Sequence, residues 1–189
     1  MCGIAGFIDR TEQNPLPQLQ RMLSAIVHRG PDGEGCHIEA TSGFAMGMRR
    51  LSIIDLEGGA QPIWNEDETI AVVFNGEIYN YVELRQELES KGHRFRTHSD
   101  TEVLIHLYEE HRNAMFDRLR GMFAFCILDR RRQTVLLARD HFGQKPLYYT
   151  SVRGRLAFAS ELKSLLTLPW VDRDPVSYTH LTLPTNREV

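Results

Sequence analysis

At 189 residues, the chain is long enough for one domain with a sizeable core, and its hydrophobic (42%) and charged (25%) fractions are ordinary for a folded protein. The formal net charge of −3 argues against a nucleic-acid-binding surface. No apolar run approaches the roughly 20 residues that cross a bilayer, and no basic leader opens the chain, so we expect neither a membrane span nor a signal peptide.

Apolar periodicity predicts two strand-rich blocks separated by helices. The predicted strands are 2–8, 44–48, 70–74, 122–128, 134–138, 147–151 and 156–159. The predicted helices are 16–27, one from Asn80 to Gly92 and one that follows Ser99, the last two opened by capping boxes that pair Asn80 with Glu83 and Ser99 with Glu102. This order predicts an α+β domain with two antiparallel layers.

The three cysteines, Cys2, Cys36 and Cys126, follow no disulfide or metal-ligand spacing, and neither do the eight histidines. We therefore expect no metal site and, because free thiols persist under reducing conditions, a cytoplasmic location. Cys126 lies in an apolar run and is predicted to be a core thiol. Cys36 receives no assignment.

Cys2 carries the clearest chemical signal. Removal of Met1 would leave one residue with both a thiol and a free α-amine, and an α-amine with a pKa of about 7.7–8.0 can act as a base near neutral pH. Such a thiol needs neither a histidine nor an aspartate to become a nucleophile. The alternative is an ordinary buried cysteine near the start of a strand.

Four segments resemble the glutaminase domain of glutamine-dependent asparagine synthetases, a class II glutamine amidotransferase domain of the N-terminal-nucleophile hydrolase type. They are MCGIAGF at 1–7, HRGPDGEG at 28–35, RRLSIIDL at 49–56 and NGEIYN at 75–80. SDTEVL at 99–104 and RDHFGQKPLYY at 139–149 extend the resemblance, which covers residues 1 to about 168. It implies a four-layer αββα sandwich of two antiparallel sheets flanked by helices. The implied activity is hydrolysis of glutamine to glutamate and ammonia, which would supply ATP-dependent asparagine synthesis from aspartate.

The resemblance also implies the catalytic roles. Cys2 would attack the side-chain amide of glutamine, forming a γ-glutamyl thioester and releasing ammonia. Asn75 and the backbone N–H of Gly76 would form the oxyanion hole, where an amide side chain and a glycine N–H are suitable donors.

Substrate binding is implied for a second group of residues. Arg50 would hold the α-carboxylate of glutamine, because its planar guanidinium matches two oxygens. Asp100 and Glu77 would bind the α-ammonium. The same pocket would be lined by Leu51, Ser52, Ile53 and Ile54.

Each residue also has a simpler structural explanation. Arg50 could be a surface ion-pair partner, Asn75–Gly76 is a common hairpin turn, and Asp100 sits where aspartate caps helices. Asp32–Gly33 fits a turn equally well, and His28 with Arg29 is expected to order a loop. The joint occurrence of these residues behind Cys2, in family order, favours the catalytic interpretation.

The resemblance predicts a glutamine amidotransferase domain at 1–175. The threonine-rich tail at 176–189 does not fit the family, and we interpret it as a translated cloning or assembly junction, the alternative being a natural linker. The family's Ser-Gly-Gly-rich nucleotide loop does not occur in the 189 residues, so we expect ATP and magnesium to bind in a separate synthetase domain and no cofactor to bind here.

Glutamine is the expected partner, without nucleic acid or membrane, and homo-oligomers are expected only through the full-length protein. Two other functions stay open. One is an amidotransferase paralogue that donates ammonia to a sugar phosphate or a cell-surface precursor. The other is an inactive glutamine-binding module.

Overall fold

The computed structural model describes residues 1–51 and 60–173. In these residues, strands form two antiparallel sheets and helices cover their outer faces. The strands are β1 (Gly3–Ile8), β2 (Gly33–Glu39), β3 (Phe44–Arg50), β4 (Ile63–Trp64), β5 (Ile70–Ile78), β6 (Gly121–Asp129), β7 (Thr134–Arg139), β8 (Tyr148–Val152) and β9 (Arg155–Ala159). The helices are α1 (Pro15–Ala25), α2 (Tyr81–Ser90), α3 (Glu102–His111) and α4 (Leu162–Leu165), with 3₁₀ turns at Val27–Arg29 and Arg112–Asp117.

The first sheet has the strand order β2-β3-β1-β9-β8, and the second has the order β4-β5-β6-β7. The central position of β1 explains the small residues that follow Cys2. A Cβ atom at Gly6 would lie 2.6 Å from the carbonyl oxygen of Ala45 on the neighbouring strand β3. The sequence Gly-Ile-Ala-Gly-Phe therefore suits a strand enclosed on both sides and both faces.

Three apolar clusters separate four layers, because successive strand residues point to opposite faces. Ala5 of β1 faces α1, where it packs with Leu19 and Met22, whereas Ile4 faces the second sheet and packs with Val73 of β5. The third cluster joins the outer face of the second sheet to α2 and α3. The layer order is α1/α4, first sheet, second sheet, α2/α3, which confirms the predicted αββα sandwich.

Strand β2 was missed by the sequence analysis, which offered a turn as one explanation of Asp32–Gly33. It lies at the edge of the first sheet, and none of its residues is fully buried. It also contains Gly33 and Gly35, which weaken a strand pattern. A Cβ at Gly35 would overlap the carbonyl oxygen of Gln61, so close backbone packing explains the glycine that obscured the strand.

Both predicted capping boxes are wrong, although helices follow at both places. The side chain of Asn80 binds the carbonyl oxygen of Arg118 and the N–H of Arg120 instead of its own helix. The carboxylate of Glu102 accepts hydrogen bonds from the backbone N–H groups of Arg96 and Thr97. In both cases, a neighbouring loop takes the polar groups that the sequence pattern assigned to the helix end.

The three cysteines are free thiols. Cys126 is fully buried between the sheets, as predicted, and burial raises the pKa of its thiol far above the usual range. Cys36 is exposed on β2. Within the described parts of the chain, no helix is both long and apolar enough to cross a bilayer. The predicted boundary at 175 and the tail at 176–189 lie outside the described residues.

Candidate active site

A cavity of about 170 Å³ brings together seven of the ten residues that the sequence analysis assigned to the site. They are Cys2, Arg50, Leu51, Asn75, Gly76, Glu77 and Asp100. The other three, Ser52, Ile53 and Ile54, lie outside the described residues. The cavity is smaller than the roughly 300–1,000 Å³ of clefts for drug-sized ligands, so its volume suits a molecule as small as one amino acid.

Cys2 is held from two sides at the start of β1. The backbone N–H of Leu51 donates to its Sγ at 3.4 Å. Its carbonyl oxygen accepts a hydrogen bond from Nε of Arg29 at 2.9 Å. Two residues further along, Ile4 exchanges hydrogen bonds with Ser160, whose Oγ and N–H lie 2.9 and 2.8 Å from the Ile4 N–H and carbonyl oxygen. These contacts fix the position of the thiol against the sheet.

The HRGPDGEG segment supports this arrangement rather than lining the cavity. Arg29 Nη1 and His28 Nε2 both lie close to Glu161 Oε1, at 3.1 and 2.8 Å. Burial alone would raise the pKa of Glu161, but hydrogen bonds from His28, Arg29 and Lys163 outweigh it and lower the pKa to about 2. Glu161 is therefore a fixed negative charge that holds the guanidinium next to Cys2.

Gly30 and Asp32 of the same segment place Arg50 at the cavity. A Cβ at Gly30 would lie 2.4 Å from the carbonyl carbon of Arg49, so the loop packs directly on the backbone of β3. The N–H of Asp32 donates to the carbonyl oxygen of Arg50 at 3.1 Å. The end of β3 is thus held from its backbone, while the Arg50 side chain lines the cavity.

Asn75 and Gly76 lie inside β5 and not in a hairpin turn, opposite Ala124 and Phe123 of β6. A Cβ at Gly76 would lie 2.2 Å from the carbonyl oxygen of Met122, so this strand pairing requires glycine. Asn75 is only 2% exposed, and its Nδ2 has no hydrogen-bond partner among the described residues. A buried donor without a partner costs about 1–3 kcal/mol, so this amide is available to an acceptor that does not belong to the described residues.

Asp100 gives one side of the cavity a negative charge. Its Oδ2 accepts the backbone N–H of Ile78 at 2.8 Å, which fixes the carboxylate at the end of β5. Burial raises the pKa of Asp100, and the nearby negative charge of Glu77 raises it further. A bound ammonium group would relieve both effects. With Arg50 lining the same cavity, the charges match those of an amino-acid zwitterion.

Seven further residues line the cavity and were not assigned to the site from sequence: Met1, Gln61, Phe74, Ser99, Thr101, Met122 and Lys145. Ser99, Thr101 and Lys145 fall in segments that carried the family resemblance, so a signal for them existed. Gln61 offered none. It joins two walls, because its Oε1 accepts the Phe74 N–H at 2.6 Å and its Nε2 lies 3.5 Å from Thr101 Oγ1.

Comparison with known proteins agrees with this geometry. The family model described as a glutamine amidotransferase domain matches residues 1–183. The chain is 49% identical to glutamine-hydrolyzing asparagine synthetase 1 of Bacillus subtilis strain 168 over 173 residues, which are 88% of this chain and 27% of that protein. It is 47% identical to glutamine-hydrolyzing asparagine synthetase 2 of Arabidopsis thaliana over 171 residues, 87% of this chain and 28% of that protein. The chain thus spans about a quarter of the length of these relatives.

Solved structures support the fold at lower sequence identity. The glutamine phosphoribosylpyrophosphate amidotransferase of B. subtilis, complexed with ADP and GMP, superposes with a TM-score of 0.72 at 24% identity. That match covers 88% of this chain and 43% of the other. A second structure, described as the allosteric regulatory enzyme of purine biosynthesis, gives a TM-score of 0.71.

Proposed function

Because the chain belongs to the glutamine amidotransferase domain family, we propose that it hydrolyses glutamine to glutamate and ammonia with Cys2 as the nucleophile. One observation carries the proposal. The thiol-bearing residue lines the same cavity as Asn75, whose buried amide nitrogen has no partner among the described residues. A nucleophile and an unoccupied hydrogen-bond donor in one small cavity suit acyl transfer.

The reaction begins once Met1 has been removed. The α-amine of Cys2 then takes the thiol proton, and the thiolate attacks the side-chain carbonyl carbon of glutamine. The oxygen of that carbonyl becomes negative and is bound by Nδ2 of Asn75 and the N–H of Gly76. Collapse of the intermediate breaks the C–N bond, and the α-ammonium returns its proton to the leaving nitrogen, so ammonia departs. Water then hydrolyses the thioester, which releases glutamate and restores the thiol.

Glutamine is held by its charged end. Arg50 binds the α-carboxylate, and Asp100 with Glu77 binds the α-ammonium, so the side-chain amide reaches the thiol. The position of Arg50 and Asp100 in one cavity supports these roles. Leu51, Ser52, Ile53 and Ile54 complete the pocket in this proposal.

The ammonia is used, we infer, for asparagine synthesis in a longer protein. The support is the identity of 49% and 48% to the B. subtilis glutamine-hydrolyzing asparagine synthetases 1 and 2. ATP and magnesium would serve the portion of such a protein that these residues do not match. The free thiols of the chain suit a cytoplasmic location. A paralogue with a different ammonia acceptor is the second candidate, since it would have the same glutamine site.

The test is ammonia release from glutamine by the parent protein, Cys2→Ala and Cys36→Ala. Alanine at position 2 still permits removal of Met1, so Cys2→Ala should bind glutamine but lose turnover, whereas Cys36→Ala should match the parent. A glutamine analogue with an electrophile at its side-chain amide should label Cys2 alone. Parent-rate hydrolysis by Cys2→Ala, or equal labelling of all three cysteines, would favour the binding-module alternative.

A further inference from the structure

Four side chains that could ligate a metal converge on the face of the molecule covered by α2 and α3, apart from the glutamine cavity. They are Glu66 from the turn between β4 and β5, His93 from the segment after α2, and His106 and Glu109 from α3. One ligand atom from each lies within 4.8 Å of the others. We propose that this cluster, called here the His93–His106 site, binds one Zn²⁺-like divalent cation through two imidazole nitrogens and two carboxylate oxygens.

The spacing of the ligand atoms fits a four-coordinate site. His106 Nδ1 lies 2.9 Å from Glu109 Oε2 and 3.8 Å from Glu66 Oε2, and His93 Nδ1 lies 3.6 Å from Glu109 Oε2. Tetrahedral zinc with bonds of about 2.0–2.1 Å separates its ligand atoms by about 3.3–3.4 Å. These three distances lie on both sides of that value, and the remaining pairs of ligand atoms lie within 4.8 Å, so the side chains would have to draw closer together to complete the geometry.

Both carboxylates have their second oxygen held by an outer partner. Glu66 Oε1 accepts the backbone N–H of Arg94 at 2.9 Å. Glu109 Oε1 accepts Nδ2 of the buried Asn65 at 2.8 Å. In each residue this leaves Oε2 to face the centre of the cluster, which is the outer support typical of metal ligands.

Of the two imidazoles, His93 follows the same rule, whereas His106 has a carboxylate near its outer nitrogen without a hydrogen bond to it. His93 Nε2 lies 3.2 Å from Glu110 Oε1. Nε2 of His106 lies 3.9 Å from Glu102 Oε1, and it makes no hydrogen bond within the described residues. The side of each ring that faces away from the cluster therefore points towards a carboxylate, as in carboxylate–histidine–zinc arrangements, and Nδ1 faces inward.

Charge and burial make the centre attractive to a cation. His106 is fully buried, yet three carboxylates surround it. His106 Nδ1 and Glu109 Oε2 lie 2.9 Å apart, which is a hydrogen-bond distance, so a metal ion would replace the proton of this hydrogen bond and move the two atoms apart. Zinc is favoured over calcium or magnesium because imidazole nitrogen makes up half of the ligand set.

The site would add a metal link between three segments that hydrogen bonds already connect: the β4–β5 turn, the segment after α2, and α3. Four protein ligands and no open position are typical of structural rather than catalytic zinc. The ligands are spread over residues 66 to 109, and only His106 and Glu109 have a helical spacing. This is why the histidine spacing in the sequence gave no indication of a metal site.

The experiment is a Zn²⁺ titration of tag-free protein against a chromophoric chelator. A background of Cys2→Ala with Cys36→Ser removes the two thiols that are not buried. Two variants test the site: His93→Asn and Glu66→Gln. His37→Gln is the matched control, because His37 also lies 2.9 Å from a glutamate, Glu39, but is not part of the cluster.

We expect the cysteine-free-surface background protein to bind one Zn²⁺ per chain. Both site variants should bind Zn²⁺ at least about tenfold more weakly than that background, and the control should bind it with unchanged affinity. Co²⁺ in place of Zn²⁺ should give the visible absorption of a four-coordinate ion without a thiolate band, and Mg²⁺ should not compete. Glu66 is exposed, so Glu66→Gln should keep the fold even if His93→Asn does not. Sub-stoichiometric binding, or equal affinity in Glu66→Gln and His37→Gln, would overturn the proposal and leave His106 as a buried imidazolium.

Discussion

Nε of Arg29 donates a hydrogen bond to the carbonyl oxygen of Cys2 at 2.9 Å, across 27 positions of the sequence. The same guanidinium binds Glu161 through Nη1. The residue that bears the proposed nucleophile is therefore anchored by its backbone to an ion pair that does not line the cavity around Cys2. This relationship indicates that the HRGPDGEG segment positions Cys2 without contacting the substrate, and mutation of Arg29 can test that role.

Arg29→Ala should lower kcat for glutamine hydrolysis by about 100-fold, because loss of the backbone anchor lets the thiol shift and small misplacements carry costs of that size. KM should change little, since Arg29 does not line the cavity. Steady-state kinetics of the glutaminase reaction check both values. His28→Gln is the matched control: His28 contacts Glu161 as well, but no contact joins its side chain to Cys2. Equal kcat values in the two variants would remove the positioning role.

The carboxylate of Glu161 should make the free energy of unfolding depend on pH in the acidic range. Its pKa of about 2 in the folded protein lies below the unfolded value of about 4.3, so it stabilises the fold fully above about pH 4.3 and loses this effect as the pH falls towards 2. Thermal melts of the parent and Glu161→Gln should differ most near neutral pH, and the difference should shrink below about pH 4.3 and vanish only below about pH 2. A difference in Tm that is constant with pH would show that the carboxylate charge is not responsible.

Much of the fold could be predicted from sequence because periodicity reports burial. The strand predicted at 122–128 lies within β6 and the helix at 16–27 overlaps α1, since in both cases an apolar pattern matches a buried face. Edge strand β2 could not be predicted, because Gly35 is there for close approach to Gln61 rather than for strand propensity. The local signal and the tertiary requirement point in opposite directions at that strand.

In the candidate site, too, some residues could be predicted from the sequence and others could not. Cys2, Asn75 and Asp100 fall in segments whose residues carry a recognisable order, and the fold brings them to one cavity. Gln61 lines the same cavity without a local signal, because its place depends on contacts with Phe74 and Thr101 from other segments. The His93–His106 site could not be predicted from the sequence for the same reason: its proposed ligands come from three segments that only the folded chain brings together.

Active protein should lack Met1. Only removal of that residue gives Cys2 the free α-amine that the proposed mechanism uses as its base. Met1 also lines the cavity, with its sulfur 3.8 Å from Lys145 Nζ, so its retention would occupy space near the thiol. Intact-mass spectrometry of protein with known specific activity provides the measurement. Full activity in a preparation that retains Met1 would require a different base.

Asn75→Ala should reduce kcat by about 10²–10³, the usual cost of losing one oxyanion donor. KM should stay near the parent value, because the donor acts on the charge that develops during the reaction. The Tm should also stay close to that of the parent, because Asn75 Nδ2 makes no hydrogen bond to the described residues that the variant would lose. Asn80→Ala is the contrasting control: its side chain bonds Arg118 and Arg120, so its Tm should fall while kcat is kept. If Asn75→Ala loses stability rather than kcat, the residue is structural.

Arg50→Ala should raise KM for glutamine about 10- to 150-fold, since a hydrogen bond to a charged group contributes about 1.5–3 kcal/mol. Lysine at the same position should restore only part of this loss, because it keeps the charge but lacks the planar fork that binds both carboxylate oxygens. The matched control is Arg49→Ala, the preceding residue of β3, whose guanidinium pairs with Glu34 at 2.7 Å and does not line the cavity. Initial-rate kinetics over a range of glutamine concentrations distinguish the three variants. An unchanged KM in Arg50→Ala, or an equal rise in Arg49→Ala, would show that Arg50 does not bind the substrate carboxylate.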